Sequence, residues 1–164
     1  DGTELKKVGS GTYPDFSPDA SKIVYQKKDQ GIWIMNRDGT EDHQIITDVN
    51  AGYPSWAVDG SKIAYVSDSL YIIDTTSASV TSFKNYIDIP DWGTVDTNTI
   101  CGSNGHFILI IHTETGEIDS LTDIEGLGWG WGVKWSPNED YFIASDGSWF
   151  VINKDGSNKW YLKP

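Results

Sequence analysis

One cysteine, one methionine and one arginine (Arg37) stand among 164 residues, and no apolar run is long enough to span a bilayer as a helix. With Cys101 alone no intramolecular disulfide can form, so packing has to hold the fold together. A lone thiol suits reducing and oxidising compartments alike and does not fix the location. Cationic side chains are scarce: 12 Lys and Arg against 24 Asp and Glu leave a net charge of −12. A surface of that sign repels phosphate backbones and anionic lipid heads, which excludes nucleic acid and membrane as expected partners. A basic peptide, a neutral glycan or a cation suits it better. The chain begins Asp1-Gly2-Thr3, with no initiator Met and no signal-peptide pattern, so we expect a processed protein or an excised piece of a longer one.

Aromatics and glycines are abundant. Eight Trp, 8 Tyr and 5 Phe argue against disorder, and 17 Gly point to many tight turns. The length allows one domain with a real core. Self-similarity then decides the fold class. A Pro followed by an aromatic recurs as Tyr13-Pro14-Asp15-Phe16 and Tyr53-Pro54-Ser55-Trp56, and more loosely at Ile89-Pro90-Asp91-Trp92 and Val133-Lys134-Trp135. The landmark aromatics at 16, 56, 92 and 135 are about one four-stranded propeller blade apart.

Seven residues after each landmark comes a β-branched or aromatic run: Ile23-Val24-Tyr25, Ile63-Ala64-Tyr65, Thr99-Ile100-Cys101 and Phe142-Ile143-Ala144. A third run ends on a polar residue, Asn36, Asp74, His112 or Asn153, and three of these lead into glycine turns at Gly39, Gly116 and Gly156. Weaker fourth strands are expected at 44–46, 79–81, 118–121 and 159–162. Runs such as Ile32 to Met35 and Phe107 to Ile111 are continuously apolar, which predicts burial on both faces. No window keeps a helical period. We therefore expect an all-β propeller of four-stranded antiparallel blades at 13–50, 51–86, 87–126 and 127–164. An irregular β-sandwich is the alternative.

These motifs resemble the TolB-type β-propeller repeat, whose pattern runs Pro-x-Trp-Ser-Pro-Asp-Gly, then an Ile-Ala-Tyr strand, then Ile-Tyr-x-Met-Asn-x-Asp-Gly-Thr. Blade 1 matches with Pro14, Phe16, Ser17, Pro18, Asp19, Met35, Asn36, Asp38, Gly39 and Thr40. Blade 3 departs most, with Gly93-Thr94-Val95 in place of Ser-Pro-Asp. The resemblance implies a periplasmic or extracellular location. It leaves function open, because the family holds adaptors, protease-associated propellers and polysaccharide lyases. Asp1-Gly2-Thr3-Glu4 repeats Asp38-Gly39-Thr40-Glu41, so residues 1–12 read as an outer strand in excess of the four blades. That excess points to a fragment of a longer propeller or to a homodimer completing eight blades; a closed four-blade ring is the further alternative.

No catalytic constellation emerges, and no metal or cofactor is expected. His43, His106 and His112 lack ligand spacing. Cys101 lies in a strand column, as a small buried side chain would. Asp88, Asp91, Asp96, Asp119, Asp123 and Glu125 read as solvated turn acids. The distinctive segment is Gly126-Leu127-Gly128-Trp129-Gly130-Trp131-Gly132, with Tyr13 and Tyr53 at corresponding places in earlier repeats. Loops entering an inner strand lie near a propeller's channel mouth, so Trp129, Trp131, Tyr13, Tyr53 and Trp92 are the expected ligand-binding residues. The expected function is a non-catalytic binding module that recognises a protein or peptide. A carbohydrate-binding module and a fragment of a propeller enzyme are the alternatives.

Overall fold

The alternation of turn signals with β-branched runs yields sixteen strands and no helix among the described residues, 6–84, 87–121 and 132–162, of the computed structural model. Blade 1 holds β1 (Thr12–Phe16), β2 (Lys22–Lys27), β3 (Gly31–Asn36) and β4 (His43–Ile46). Blade 2 holds β5 (Gly52–Trp56), β6 (Lys62–Val66), β7 (Leu70–Asp74) and β8 (Val80–Phe83). Blade 3 holds β9 (Asp88–Trp92), β10 (Thr99–Ser103), β11 (Ile108–His112) and β12 (Ile118–Leu121). Blade 4 holds β13 (Lys134–Trp135), β14 (Tyr141–Ser145), β15 (Trp149–Asn153) and β16 (Lys159–Tyr161). Every sheet is an antiparallel meander in chain order.

Local chemistry makes the turns. Gly39, Gly116 and Gly156 take φ of +91°, +74° and +82°, the left-handed region that the hairpins demand. The Ser-Lys pairs that open β2 and β6 are set by Asp19 and Asp59, each accepting from the amide and the hydroxyl two residues on, in Ser21 and Ser61. Bonds from the hydroxyls of Ser17 and Ser21 and the Ser21 amide hold the Asp19 carboxyl down at about 2, against an ordinary 3.8.

The core lies between blades. Val24, Ile32, Ile34 and Ile46 of blade 1 pack on Trp56, Ile63, Tyr65 and Ile73 of blade 2. The same pattern joins Ala64, Leu70, Ile72 and Phe83 to Trp92, Ile100, Leu109 and Ile111. It recurs as Cys101, Ile108 and Ile110 against Trp135, Phe142, Ala144 and Phe150. The continuously apolar strands β3 and β11 are thus covered on both faces; Phe107 lies outside β11 and is exposed, and β15 buries only one face.

Blade 3's departure from the repeat has a physical account. Buried Glu139, from blade 4, accepts from the amides of Val95 and Asp96, and the Thr94 hydroxyl donates to the Pro137 carbonyl. A Cβ at Gly93 would stand 2.3 Å from the Asp96 carbonyl oxygen, so the backbone tolerates only glycine there. The turn keeps its own bond from the Asn98 amide to Asp96 and is braced in addition from the next blade.

Two expectations need correction. Residues 6–11 form no strand; Val8 instead packs over Ile23, Tyr25 and Met35 on the outward face of blade 1. Nor is there a closed four-blade ring among the described residues. No strand of blade 1 packs on blade 4, Phe16 is 53% exposed, and Trp149 is 56% exposed. The blades form an open arc.

The arc predicts unequal roles for equivalent aromatics. In dilute protein, Trp56→Ala and Trp135→Ala should each lower the unfolding free energy by roughly 3 to 5 kcal/mol in urea titrations, and Phe16→Ala by less than about 1 kcal/mol. The turn acids set the acid limb of stability. A carboxyl held below its unfolded value stabilises the fold above that value and ceases to do so as pH falls through the folded one. The melting temperature should therefore drop between about pH 4 and pH 2. The drop should be shallower in Asp19→Asn, measured by circular dichroism.

Candidate functional site at the channel

All four inner strands, β1, β5, β9 and β13, converge on one axis, and the sequence shapes both of their ends. At the entering end, Tyr13, Tyr53 and Ile89 take φ of 50°, 53° and 40°, each directly before a proline. The ladders shift register at these places, between Thr12 and Asp15, between Gly52 and Ser55, and opposite Cys101–Ser103. A non-glycine residue in that region, above all β-branched Ile89, stores strain of about 1 to 3 kcal/mol and marks a bulge that re-aims its side chain. Blade 4 has Gly132 in this column, within 3.6 Å of Ile89 as measured from its ideal Cβ. The bulges bring Tyr13 and Tyr53 together across the junction of blades 1 and 2, ring centroids 4.2 Å apart and planes tilted by 47°. Tyr13 is 48% exposed.

At the leaving end a funnel of about 380 Å³ is lined from all four blades. Its polar lining is Thr94 and the column just before the landmark aromatics, Asp15, Ser55, Asp91 and Lys134. Asp15 accepts from the Trp56 amide at 2.8 Å, latching blade 1 to blade 2. Asp91 repeats the latch with the Trp135 amide at 2.9 Å and pairs with Lys134 Nζ at 2.7 Å. Burial pushes the Asp15 carboxyl above its ordinary 3.8, outweighing the Trp56 amide and the nearby Lys134 charge that pull it down. A partly buried carboxylate thus faces the funnel.

A larger cavity, about 740 Å³, lies in the cleft between blades 1 and 2. Its rim acids Asp19, Asp59 and Asp74 are already bonded within their own turns. We therefore place the candidate site in the funnel, where polar groups from four blades converge.

Of the expected binding residues, the structure brings Tyr13 and Tyr53 into contact, while Trp129 and Trp131 lie outside the described residues. Trp92 is 3% exposed and donates its indole N–H to the Ser55 carbonyl at 3.0 Å, so it seals a junction and offers no open ring face. Asp91 corrects the reading of turn acids: it sits in β9 and joins two blades. Asp88 is buried as well. Asp15 and Lys134 went unremarked in sequence, although their place one residue before the landmark aromatic was visible.

The remaining reactive side chains do not assemble. Cys101 is fully buried, and burial pushes its thiol pKa well up. His112 pairs with Asp119 at 3.0 Å on the surface, and His43 Nδ1 donates to the Glu41 carbonyl. Among the described residues no group of three or more His, Cys, Asp or Glu side chains could hold a metal ion.

No family model matches the chain, and no curated protein does. Solved structures do match. TolB from Acinetobacter baumannii superposes with a TM-score of 0.76 at 18% identity, over 92% of this chain and 42% of that one. An auxiliary nutrient binding protein from Bacteroides thetaiotaomicron matches at 0.74 and 11%, over 93% of this chain and 42% of its own. Oligogalacturonate lyase from Vibrio parahaemolyticus matches at 0.68 and 16%, over 90% and 50%. The chain therefore has a TolB-like β-propeller fold and spans about half or less of the length of these proteins.

The sign of the Asp15 shift gives a test. A carboxyl whose folded pKa is raised binds its proton more tightly in the fold, so its contribution is favourable at low pH and is lost as pH rises through the raised value. Asp15→Asn keeps an acceptor for the Trp56 amide and has no charge to desolvate. It should match or exceed the wild type in stability at about pH 7 and lose that advantage below about pH 4, read by thermal melts across pH.

Proposed function

We propose that this chain is a non-catalytic, extracytoplasmic binding propeller that holds a protein or peptide segment at its channel, with a cationic group of the ligand over Asp15. The observation that carries this reading is the desolvated Asp15 carboxylate facing the four-blade funnel. A cation brought there relieves the burial penalty that raises its pKa, and a lysine, arginine or amino-terminal group supplies one. The net charge of −12 steers such a ligand inward. The likeness to TolB and to a nutrient binding protein supports a binding role, and the TolB-type repeat supports the extracytoplasmic location.

A second reading has its own observation. The Tyr13–Tyr53 pair, with Tyr13 half exposed, resembles an aromatic platform for a neutral sugar. The two readings separate by salt. Short lysine- and arginine-rich peptides, titrated by calorimetry, should bind about tenfold more weakly in 0.5 M than in 0.05 M NaCl. Asp15→Asn should abolish that binding without lowering the melting temperature. Binding of neutral oligosaccharides that is indifferent to salt and lost in Tyr13→Ala would favour the sugar instead.

A further inference from the structure

Three charged groups line the funnel, Asp15, Asp91 and Lys134, and they are unequally engaged. Each carboxylate accepts through Oδ2 from a backbone amide of the next blade, Trp56 for Asp15 and Trp135 for Asp91. The second oxygen of Asp91, Oδ1, takes the Lys134 ammonium at 2.7 Å. Asp15 makes no ion pair among the described residues. Two equivalent acceptors thus face one funnel, and only Asp91 has its cation.

The repeat column explains the difference. The residue before the landmark aromatic is acidic or neutral in blades 1 to 3, as Asp15, Ser55 and Asp91, and basic in blade 4. Lys134 stands on β13, which packs against β9, so its ammonium meets Asp91 as a ligand's cation would meet Asp15. Its side chain is 51% exposed against 21% for Asp91, so the lysine lies on the solvent side of the pair. A second tier, two residues after the aromatics, is formed by Pro18, Val58, Thr94 and Pro137, exposed and without charge. A second cation entering the funnel therefore finds no further acid to pair with. It either displaces Lys134 or rests unpaired beside it, and like charges placed together oppose binding.

We propose that Lys134 is a tethered counter-ion: it occupies one of the funnel's two carboxylate positions, leaves Asp15 to receive the ligand, and so selects a ligand with one isolated cationic side chain over one with two adjacent cations. The inference rests on the ligand reading above and adds the residue that sets its specificity. Selection of this kind works by repulsion, through a charge set against the wrong partner, rather than by added contacts to the right one.

Capped peptides with one lysine, or two adjacent lysines, between alanines test this by calorimetry in about 0.15 M NaCl. The wild type should hold the two within about threefold, and Lys134→Met should prefer the lysine pair by at least about tenfold. Lys134→Arg, which keeps the charge, should give the wild-type ratio. Lys28→Met removes an exposed charge outside the funnel and should leave the ratio alone, which controls for the general field. The free protein gives a second readout. Lys134 pulls the Asp15 carboxyl down, so by NMR that carboxyl should titrate at higher pH in Lys134→Met than in the wild type. Should Lys134→Met lose its cooperative melt, Lys134→Gln makes the same comparison. A ratio that the variant leaves unchanged, or an Asp15 titration that does not move, overturns this inference and leaves the ligand reading standing. Failure of both peptides to bind any form overturns the ligand reading, and this inference with it.

Discussion

Burial of one aromatic per blade against the aliphatic face of the blade before it is the constraint on which the rest of the structure depends. A four-stranded meander has two faces and cannot hide both by itself, so each blade is stable only as a neighbour. Trp56, Trp92 and Trp135 supply the largest share of each contact, and the β2–β3-type strands supply the aliphatic bed. Polar latches then set the angle. Asp15 and Asp91 reach forward to a backbone amide of the next blade, and the Trp92 indole reaches back to Ser55. The apolar contact provides the energy; the hydrogen bonds fix one register.

The candidate site follows from the same geometry. Inner strands that pack edge to face around an axis must bring their columns together, so four residues distant in sequence become the wall of one funnel. Three of the four are Asp15, Ser55 and Asp91, the fourth is Lys134, and only Asp91 and Lys134 neutralise each other directly. The same residue that latches a blade can therefore carry a field into the channel. The latch and the proposed ligand contact would share atoms at Asp15, so its protonation would couple stability to the site.

Strain is distributed by the repeat as well. Tyr13, Tyr53 and Ile89 sit at positive φ before proline in three successive blades, and the fourth blade has glycine in that column. A conformation costly for any one residue recurs because each bulge turns the chain from the preceding blade's outer strand into the next inner strand. The bulge is also what sets Tyr13 against Tyr53.

The sequence by itself determined the strands, their grouping by four, the glycine turns and the burial of Cys101. These depend on local backbone preference and on a pattern repeated four times, and neither needs knowledge of what lies across a junction. It also showed which residues share a column, since spacing alone sets that. Only the tertiary structure decided what each column member does. Phe16 and Trp92 occupy one column, yet one is exposed and the other buried, because a blade lies behind Trp92 and none lies behind Phe16 among the described residues. Asp91 reads as a solvated turn acid until β13 is placed beside it, when it becomes an acceptor for Trp135 and a partner for Lys134. Burial and charge pairing are properties of neighbours in space, and a repeat makes equivalent residues look alike while its ends make them differ.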